Sequence, residues 1–432
     1  MDFASFLLLN AVLYIRPMDF VPVLYGVPIV DVAFCICLLF SIPALLEADS
    51  LGSIIRHPVS VCVIAVIVTS LLSNLLLGQI DQAFETANLC FIILCYYIFL
   101  VCLVTTPARV KWLLASLVVD TCIIVGVVMA DYLGFAQIPN LTVTMEAQSV
   151  GDEEVLVRRL GGTEGGMFGD PNDMALLIVG CIIFSLYLLG DRPAGLPRRA
   201  LWLLPLPLLF QALSLTYSRG GALTLMIGLG IYALLRFGRR ALPLALLALP
   251  LLLRGGGRQL NFDVTAGSGQ ARIAIWHTYM GMFLENPLLG IGYAQGMGRG
   301  YQVAHNSYIH VFAERGFFGG TAFLSAVLLA VWSMIRLKPP RGRPPSDELV
   351  RLRTFLLASI GSYAIGIMTL SRADVYPTYT MLGLAVAYER MAAGASGRGP
   401  LRFGPRLICI LLAASVFYMA FMFVYIKRNV NY

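Results

Sequence analysis

Two histidines and a carboxylate in one short segment are the residue types best suited to acid–base chemistry. His305, His310 and Glu314 lie where a loop rich in glycine and arginine meets a long apolar stretch. An imidazole titrates near neutral pH, and an ionisable group at the end of a membrane helix is costly unless it faces water or protein. This segment is therefore the first candidate for a functional site.

His305 is the histidine best placed to act as a base. It directly precedes the apolar stretch, where Asn306 and Ser307 could cap a helix. The positive end of that helix disfavours imidazolium, which would keep His305 neutral and able to accept a proton. The alternative is a capping-region histidine without chemistry. His310 lies on a different helical face, where Glu314, one turn later, could pair with it.

Arginines are the second group of candidates, because a guanidinium matches phosphate oxygens well. Arg219 occupies a tight turn between two apolar stretches, which suggests a position near membrane depth, where an unpaired charge is costly. Arg272 begins a stretch with helical spacing of aromatic residues, including Trp276. These residues could bind an anionic ligand.

Other polar residues have competing structural interpretations. Arg158 and Arg159 could bind the same anion, or they could contact headgroups or pair with the acidic residues 152–154. Arg372 and Asp374 could complete a site or pair with each other.

The segment 168–173 also permits two interpretations. Asp170 could cap a helix, with Pro171 at its first position and Asp173 in its first turn. Alternatively, Asp170 and Asn172 could bind substrate beside the glycine-rich residues 161–166.

Composition excludes a soluble protein. Of 432 residues, 58% are hydrophobic and 13% are charged, which indicates a polytopic membrane protein. The net charge of +7 could reflect anionic partners or the positive-inside bias. The nine cysteines lie in apolar runs and are typical of core residues rather than of disulfides or zinc ligands. We expect membrane lipids as partners, no metal or other cofactor, and no nucleic acid.

The apolar runs predict an all-α fold, with residues 1–432 forming a single membrane domain of about 12 to 13 transmembrane helices. Two runs are shorter than the ~20 residues that cross a membrane alone. The predicted spans are 3–15, 25–46, 58–78, 86–104, 112–134, 172–190, 200–216, 220–236, 241–254, 307–335, 352–370, 376–392 and 406–426.

Arginine and lysine clusters in alternate connections predict the orientation, with the amino terminus in the cytoplasm. The span count leaves the side of the carboxyl terminus open. The two longest non-helical stretches, residues 135–171 and 255–306, are then periplasmic loops. The second loop contains a predicted amphipathic helix near residues 270–285, lying at the membrane surface.

The segment His305-Asn306, followed by Gly316-Phe317-Phe318-Gly319, resembles the histidine motif of bacterial O-antigen ligases. Four further segments resemble the wider superfamily of O-antigen ligases and polymerases: residues 168–173, 218–220, 272–276 and 287–292. The motifs extend over about residues 155–325, and the likeness in architecture covers the whole chain.

The resemblance implies a metal-independent, inverting glycosyltransferase of the GT-C-like type in the bacterial inner membrane. A periplasmic histidine would act as base and arginines would hold the diphosphate, which maps onto His305, Arg272 and Arg219. The donor would be a glycan on undecaprenyl diphosphate and the acceptor lipid A-core. The histidine motif favours such a ligase over a polymerase of O-antigen or exopolysaccharide, whose acceptor is itself lipid-linked.

A secondary anion transporter is the alternative from a different functional class. It would also have about a dozen spans and arginine at membrane depth. Inverted repeats and unwound helices near the middle of the membrane would distinguish it, whereas the polar residues here concentrate in two outward loops and the adjoining helix ends.

Overall fold

The computed structural model describes residues 1–47, 50–141, 143–150, 153–163, 166–191, 195–240, 268–337, 347–396 and 399–430. The predicted span 241–254 lies outside these residues, as does the part of the predicted loop 255–306 that precedes Ser268. The same is true of residues 164 and 165 in the glycine-rich segment.

Helices make up nearly all of the regular structure. The longer ones are α1 (Asp2–Ile15), α2 (Ile29–Leu46), α3 (Pro58–Leu76), α4 (Ile80–Leu103), α5 (Pro107–Tyr132), α6 (Pro171–Leu189), α7 (Pro205–Leu215), α8 (Arg219–Phe237), α9 (Ser268–Glu285), α10 (Ser307–Arg336), α11 (Asp347–Gly366), α12 (Tyr376–Ser396) and α13 (Pro405–Asn429). Short helical turns lie at Pro17–Phe20, Pro22–Leu24, Ser50–Ile55, Gly195–Ala200, Leu201–Leu203, Gly238–Arg240, Gln295–Gly298 and Ile367–Thr369.

Ten helices in the described part of the chain are long and apolar enough to cross a membrane. This confirms the prediction of an all-α polytopic membrane protein. Two predicted spans within the described residues are not among the ten. The run 200–216 forms only the 11-residue α7, too short to cross alone. The run 376–392 forms α12, which carries the charged residues Glu389 and Arg390.

A β-hairpin lies within residues 135–171, the predicted non-helical loop, and its strands were not predicted from the sequence. Strands β1 (Thr144–Val150) and β2 (Glu153–Arg159) pair antiparallel, with Thr144 opposite Arg159. Valines favour a strand, but two seven-residue strands give a much weaker sequence signal than an apolar helix.

The chain forms two compact units. The first comprises Met1–Leu46, Leu103–Leu260 and Pro345–Gly366. Its core is α6, which is buried along most of its length and contacts α5, α7, α8 and α11. A methyl group on Gly221 of α8 would lie 2.6 Å from the Ala175 Cβ of α6, so the small residue permits a close helix contact.

The second unit comprises Glu47–Cys102, Asn261–Pro344 and Ile367–Tyr432. Its central element is α10, which packs against α3, α9, α12 and α13. Gly316 interrupts α10 with φ 63° and ψ −165°, a conformation that essentially only glycine adopts.

The backbone beside the break is paired with a loop that precedes α10. The Ile291 N–H donates to the Ala313 carbonyl oxygen at 3.1 Å, and the Phe317 N–H donates to the Pro287 carbonyl oxygen at 2.7 Å. The break therefore does not leave these backbone groups without hydrogen bonds. It also joins two segments that carry the family resemblance, residues 287–292 and 316–319.

Both glycines of the second segment lie in close contacts. A Cβ on Gly316 would be 2.2 Å from the Leu288 carbonyl carbon. A Cβ on Gly319 would be 2.8 Å from the Thr69 Oγ1 of α3. A larger residue at either position would require its neighbours to move.

Candidate active site

Asn172 is the centre of a polar network in the first unit. Its Oδ1 accepts hydrogen bonds from Arg159 Nη2 at 3.0 Å and from Ser218 Oγ at 2.8 Å. Its backbone N–H and its Nδ2 donate to Asp170 Oδ1 at 2.7 and 2.9 Å. Three segments distant in sequence therefore meet here, namely residues 158–159, 168–173 and 218–220.

The structure confirms the predicted capping role of Asp170. It is the N-cap of α6, and Pro171 occupies the first helical position. Asp173 lies in the first turn and is only 4% exposed. Because Asp170 and Asn172 bond to each other, both support the start of α6.

Arg158 and Arg159 also have internal partners. Arg159 is 9% exposed, donates to the Thr216 carbonyl oxygen at 2.8 Å and binds Glu146 at 2.8 Å. Arg158 binds Asp131 at 2.6 Å. These ion pairs are with acidic residues other than the neighbours at 152–154 that the sequence suggested.

Arg219 differs from both of these arginines. It is the first residue of α8, where Ser218 Oγ caps the helix by accepting the Gly221 N–H at 3.0 Å. Its side chain is exposed, and its position near membrane depth remains a prediction. Among the described residues, no hydrogen bond or ion pair engages its guanidinium. A cation at this helix start is accessible to an anion.

In the second unit, Asn306 is the predicted cap of α10. Its Oδ1 accepts the backbone N–H groups of Tyr308 at 3.1 Å and Ile309 at 3.2 Å. The Tyr418 hydroxyl donates to the same oxygen at 3.3 Å. His305 directly precedes this cap, is half-buried and has φ 49°, which is uncommon for a residue with a side chain.

Ser307 connects the start of α10 to the loop at residues 370–374. Its Oγ donates to the Leu370 carbonyl oxygen at 2.6 Å and accepts the Arg372 N–H at 2.8 Å. Thr378 Oγ1 donates to the Arg372 carbonyl oxygen at 2.5 Å. The backbone of Arg372 is therefore fixed close to the helix start that follows His305.

Trp276 connects α9 to the residue before His305. Its Nε1 donates to the Ala304 carbonyl oxygen at 2.8 Å. Arg272 lies one turn earlier on α9 and is half-buried. The structure thus brings the helix carrying Arg272 to the segment carrying His305, although these residues are distant in sequence. The predicted helix near residues 270–285 is present as α9, and its location at a membrane surface remains a prediction.

The expected pairing of His310 and Glu314 is present. His310 Nε2 lies 3.2 Å from Glu314 Oε2, and Glu314 is fully buried. The Tyr279 ring stacks on the imidazole of His310, with ring centroids 5.3 Å apart. Burial raises the pKa of the Tyr279 hydroxyl above its ordinary value, which keeps that hydroxyl protonated.

Sequence reasoning missed the role of Arg315. This residue is fully buried and forms an ion pair with Asp374. Pairing of Asp374 with Arg372 was only one of the two interpretations that the sequence permitted. Its guanidinium also lies 5.0 Å from the ring centroid of Tyr293. Adjacent opposite charges at Glu314 and Arg315 inside an apolar run were the available signal, because such residues are rare there without a partner.

The second unit therefore holds a half-buried imidazole beside a helix cap and near two segments that carry arginines. This arrangement suits proton abstraction next to an anionic group. Within the described part of the chain, no cluster of three or more histidine, cysteine, aspartate or glutamate residues is placed to hold a metal ion.

Comparison with known proteins finds a family match for one segment of the chain. Residues 204–324 match the family described as O-antigen ligase. The matched segment contains Arg219, Arg272 and His305, as well as the break at Gly316. No curated protein matches the chain. The family match agrees with the motifs noted in the sequence, and residues 204–324 are similar to the O-antigen ligase family.

Proposed function

We propose that this protein transfers a polysaccharide from undecaprenyl diphosphate to lipid A-core on the periplasmic face of the bacterial inner membrane. The family supports the broader activity, a membrane glycosyltransferase of the O-antigen ligase and polymerase type. The observation that carries the finer proposal is the placement of His305 between a capped helix start and the Trp276 hydrogen bond to Ala304.

The reaction is a single displacement at the anomeric carbon. An acceptor hydroxyl attacks this carbon while His305 accepts the hydroxyl proton. The bond between the anomeric carbon and the diphosphate oxygen breaks, and the diphosphate leaves with the bonding electrons. Configuration at the anomeric carbon is inverted, because only one displacement occurs.

Arg272 and Arg219 are the proposed ligands of the diphosphate. A diphosphate is a good leaving group, so the protein mainly has to orient the reactants and neutralise departing charge. This mechanism needs no metal ion. Two observations support these roles. The Arg219 guanidinium is exposed. A hydrogen bond from Trp276 to Ala304 holds the helix that carries Arg272 beside His305.

The contacts of the remaining candidate residues separate one proposed substrate ligand from residues that support the site. Arg372 is a proposed substrate ligand, because its backbone is fixed near the start of α10. The others have internal bonds and are proposed to hold the site rather than to contact substrate. They are Arg158, Arg159, Asp170, Asn172, Trp276, Asn306, His310 and Asp374.

Two other functions give different predictions. A polymerase would use a lipid-linked glycan as acceptor, and it is consistent with the same family match. A transporter would need an unwound helix that lines a pathway. The backbone of residues 287–292 fills the break in α10, which argues against that role.

His305→Ala is the decisive variant. We expect turnover to fall by about 100-fold or more, as for loss of a general base, with little change in donor binding. The matched control is His277→Ala, which removes an exposed imidazole from the same unit. Surface glycans resolved on gels and anion uptake would be measured in cells that depend on this protein.

The gel pattern separates the candidate functions. Loss of all core-linked chains with intact lipid-linked polymer supports the ligase. Survival of core glycan with a single repeat supports the polymerase. Unchanged glycans in His305→Ala would contradict the catalytic role, and altered anion uptake would favour transport.

A further inference from the structure

The second unit has a basic cavity at the end of α10 that is remote from His305. α10 contains 30 residues, which at 1.5 Å per residue separates its two ends by roughly 40 Å. The cavity has a volume of about 590 Å³ and is lined by Arg336, Gly399, Pro400 and Arg402. Nothing in the proposed reaction uses these residues.

Polar contacts fix one wall of this cavity. Arg336 Nη2 donates to the Gly399 carbonyl oxygen. The fully buried Glu389 accepts the Leu401 N–H and binds His57 Nε2 at 3.1 Å. Gly399 and Leu401 are therefore held to α10 and α12 by hydrogen bonds beside the cavity.

The charge at the cavity is positive. Arg402 is exposed, and Arg406 lies in the first turn of α13. The N-cap of α13 is Gly404, which supplies no side-chain hydrogen bond to the first backbone N–H groups. Guanidinium groups and an open helix start both favour an anion, and phosphate oxygens suit them best.

The surroundings of the cavity are apolar. Both α10 and α13 are candidate membrane spans, so their ends lie at the level of the lipid headgroups. Leu328, Trp332 and Ile335 form an exposed stripe that leads along α10 to Arg336. Tryptophan at the end of a span is typical of the membrane interface. An occupant with an anionic head and alkyl chains would satisfy both features.

We propose that this cavity binds the phosphate of an anionic membrane phospholipid, whose acyl chains lie along the exposed stripe of α10. Arg336 and Arg402 contact the phosphate oxygens. A free phosphate ion offers the same charge but leaves the apolar stripe unused. This site is separate from the reaction proposed at His305.

Native mass spectrometry of the full chain in detergent tests the proposal with phosphatidylglycerol, phosphatidylcholine and inorganic phosphate as probes. We expect phosphatidylglycerol to bind in preference to phosphatidylcholine. Arg402→Gln should weaken phosphatidylglycerol binding about fivefold, as expected for one basic residue at an anionic headgroup. The control Arg198→Gln removes an exposed arginine from the first unit and should leave binding unchanged.

The double variant Arg336→Gln/Arg402→Gln should lose more affinity than Arg402→Gln alone. The single variant guards against misfolding, because Arg402 is exposed. Equal binding of the two lipids, or unchanged binding by Arg402→Gln, would overturn the proposal. Displacement of phosphatidylglycerol by a similar concentration of inorganic phosphate would also overturn it, because the ligand would then be a free ion.

Discussion

The two compact units stabilise their polar residues in different ways. In the first, an uncharged amide, Asn172, accepts hydrogen bonds from Arg159 and Ser218. In the second, two consecutive charged residues, Glu314 and Arg315, are fully buried. Glu314 lies beside His310, and Arg315 forms an ion pair with Asp374. The first network holds a turn, whereas the second holds an interrupted helix.

This difference indicates where function and stability coincide. The network of the first unit leaves a neighbouring cation exposed, namely Arg219, which is a proposed ligand of the diphosphate. The second unit uses its buried charges internally, and the groups proposed to act on substrate, His305 and Arg272, are half-buried. We therefore expect substitutions to separate activity from stability more cleanly in the first unit.

The largest effect on stability is expected from Arg315→Ala. Removing one partner of a buried ion pair leaves an uncompensated charge on Asp374 and should lower the free energy of unfolding by about 3–5 kcal/mol. Arg299→Gln is the control, because Arg299 pairs with Glu285 at 2.8 Å while both side chains are exposed. Its effect should stay below about 1 kcal/mol. Equal losses in unfolding assays in mixed detergent would contradict the stabilising role of the buried ion pair in the second unit.

A smaller loss is expected from Gly316→Ala. The new Cβ would overlap the Leu288 backbone at 2.2 Å, and the conformation at this position essentially requires glycine. The free energy of unfolding should fall by at least about 2 kcal/mol. Gly281→Ala in α9 is the matched control, because nothing lies within 4 Å of its added methyl group. A tolerated Gly316→Ala would show that the break is not held by close packing.

The last comparison, within the first unit, pairs Arg219→Gln with Arg159→Gln. Arg219→Gln should lower kcat/KM about tenfold, as for a lost charged hydrogen bond, and leave the melting temperature unchanged. Arg159→Gln should lower the melting temperature instead, because the buried guanidinium has three partners. Glycan transfer with purified protein and thermal unfolding would be measured together. The opposite pattern would exchange the roles of these two arginines.

Much of the fold could be predicted because each element has a local cause. Apolar runs gave the positions of most membrane-compatible helices. Asp170 and Asn306 could be predicted as caps, since a capping side chain bonds to backbone N–H groups only a few residues away. The pair His310 and Glu314 lies on one helical face and was predictable for the same reason.

Non-local contacts could not be predicted in this way. Arg315 finds Asp374 across a separation of 59 residues, and no helical or strand periodicity links them. The pairing of residues 287–292 with the break in α10 also depends on tertiary structure. In the candidate site, the sequence indicated which residue types are present. It did not show which arginines form internal ion pairs, as Arg158 and Arg159 do, and which are exposed.

The loop before His305 has both of its ends fixed. At one end, the Gly292 N–H donates to the Glu314 carbonyl oxygen at 3.1 Å, and at the other, Trp276 binds Ala304. Residues 297–302 between them are exposed. Sequence changes in this stretch are therefore insulated from the residues around His305. The surface formed by this loop can therefore change in sequence while the hydrogen bonds at its two ends are kept.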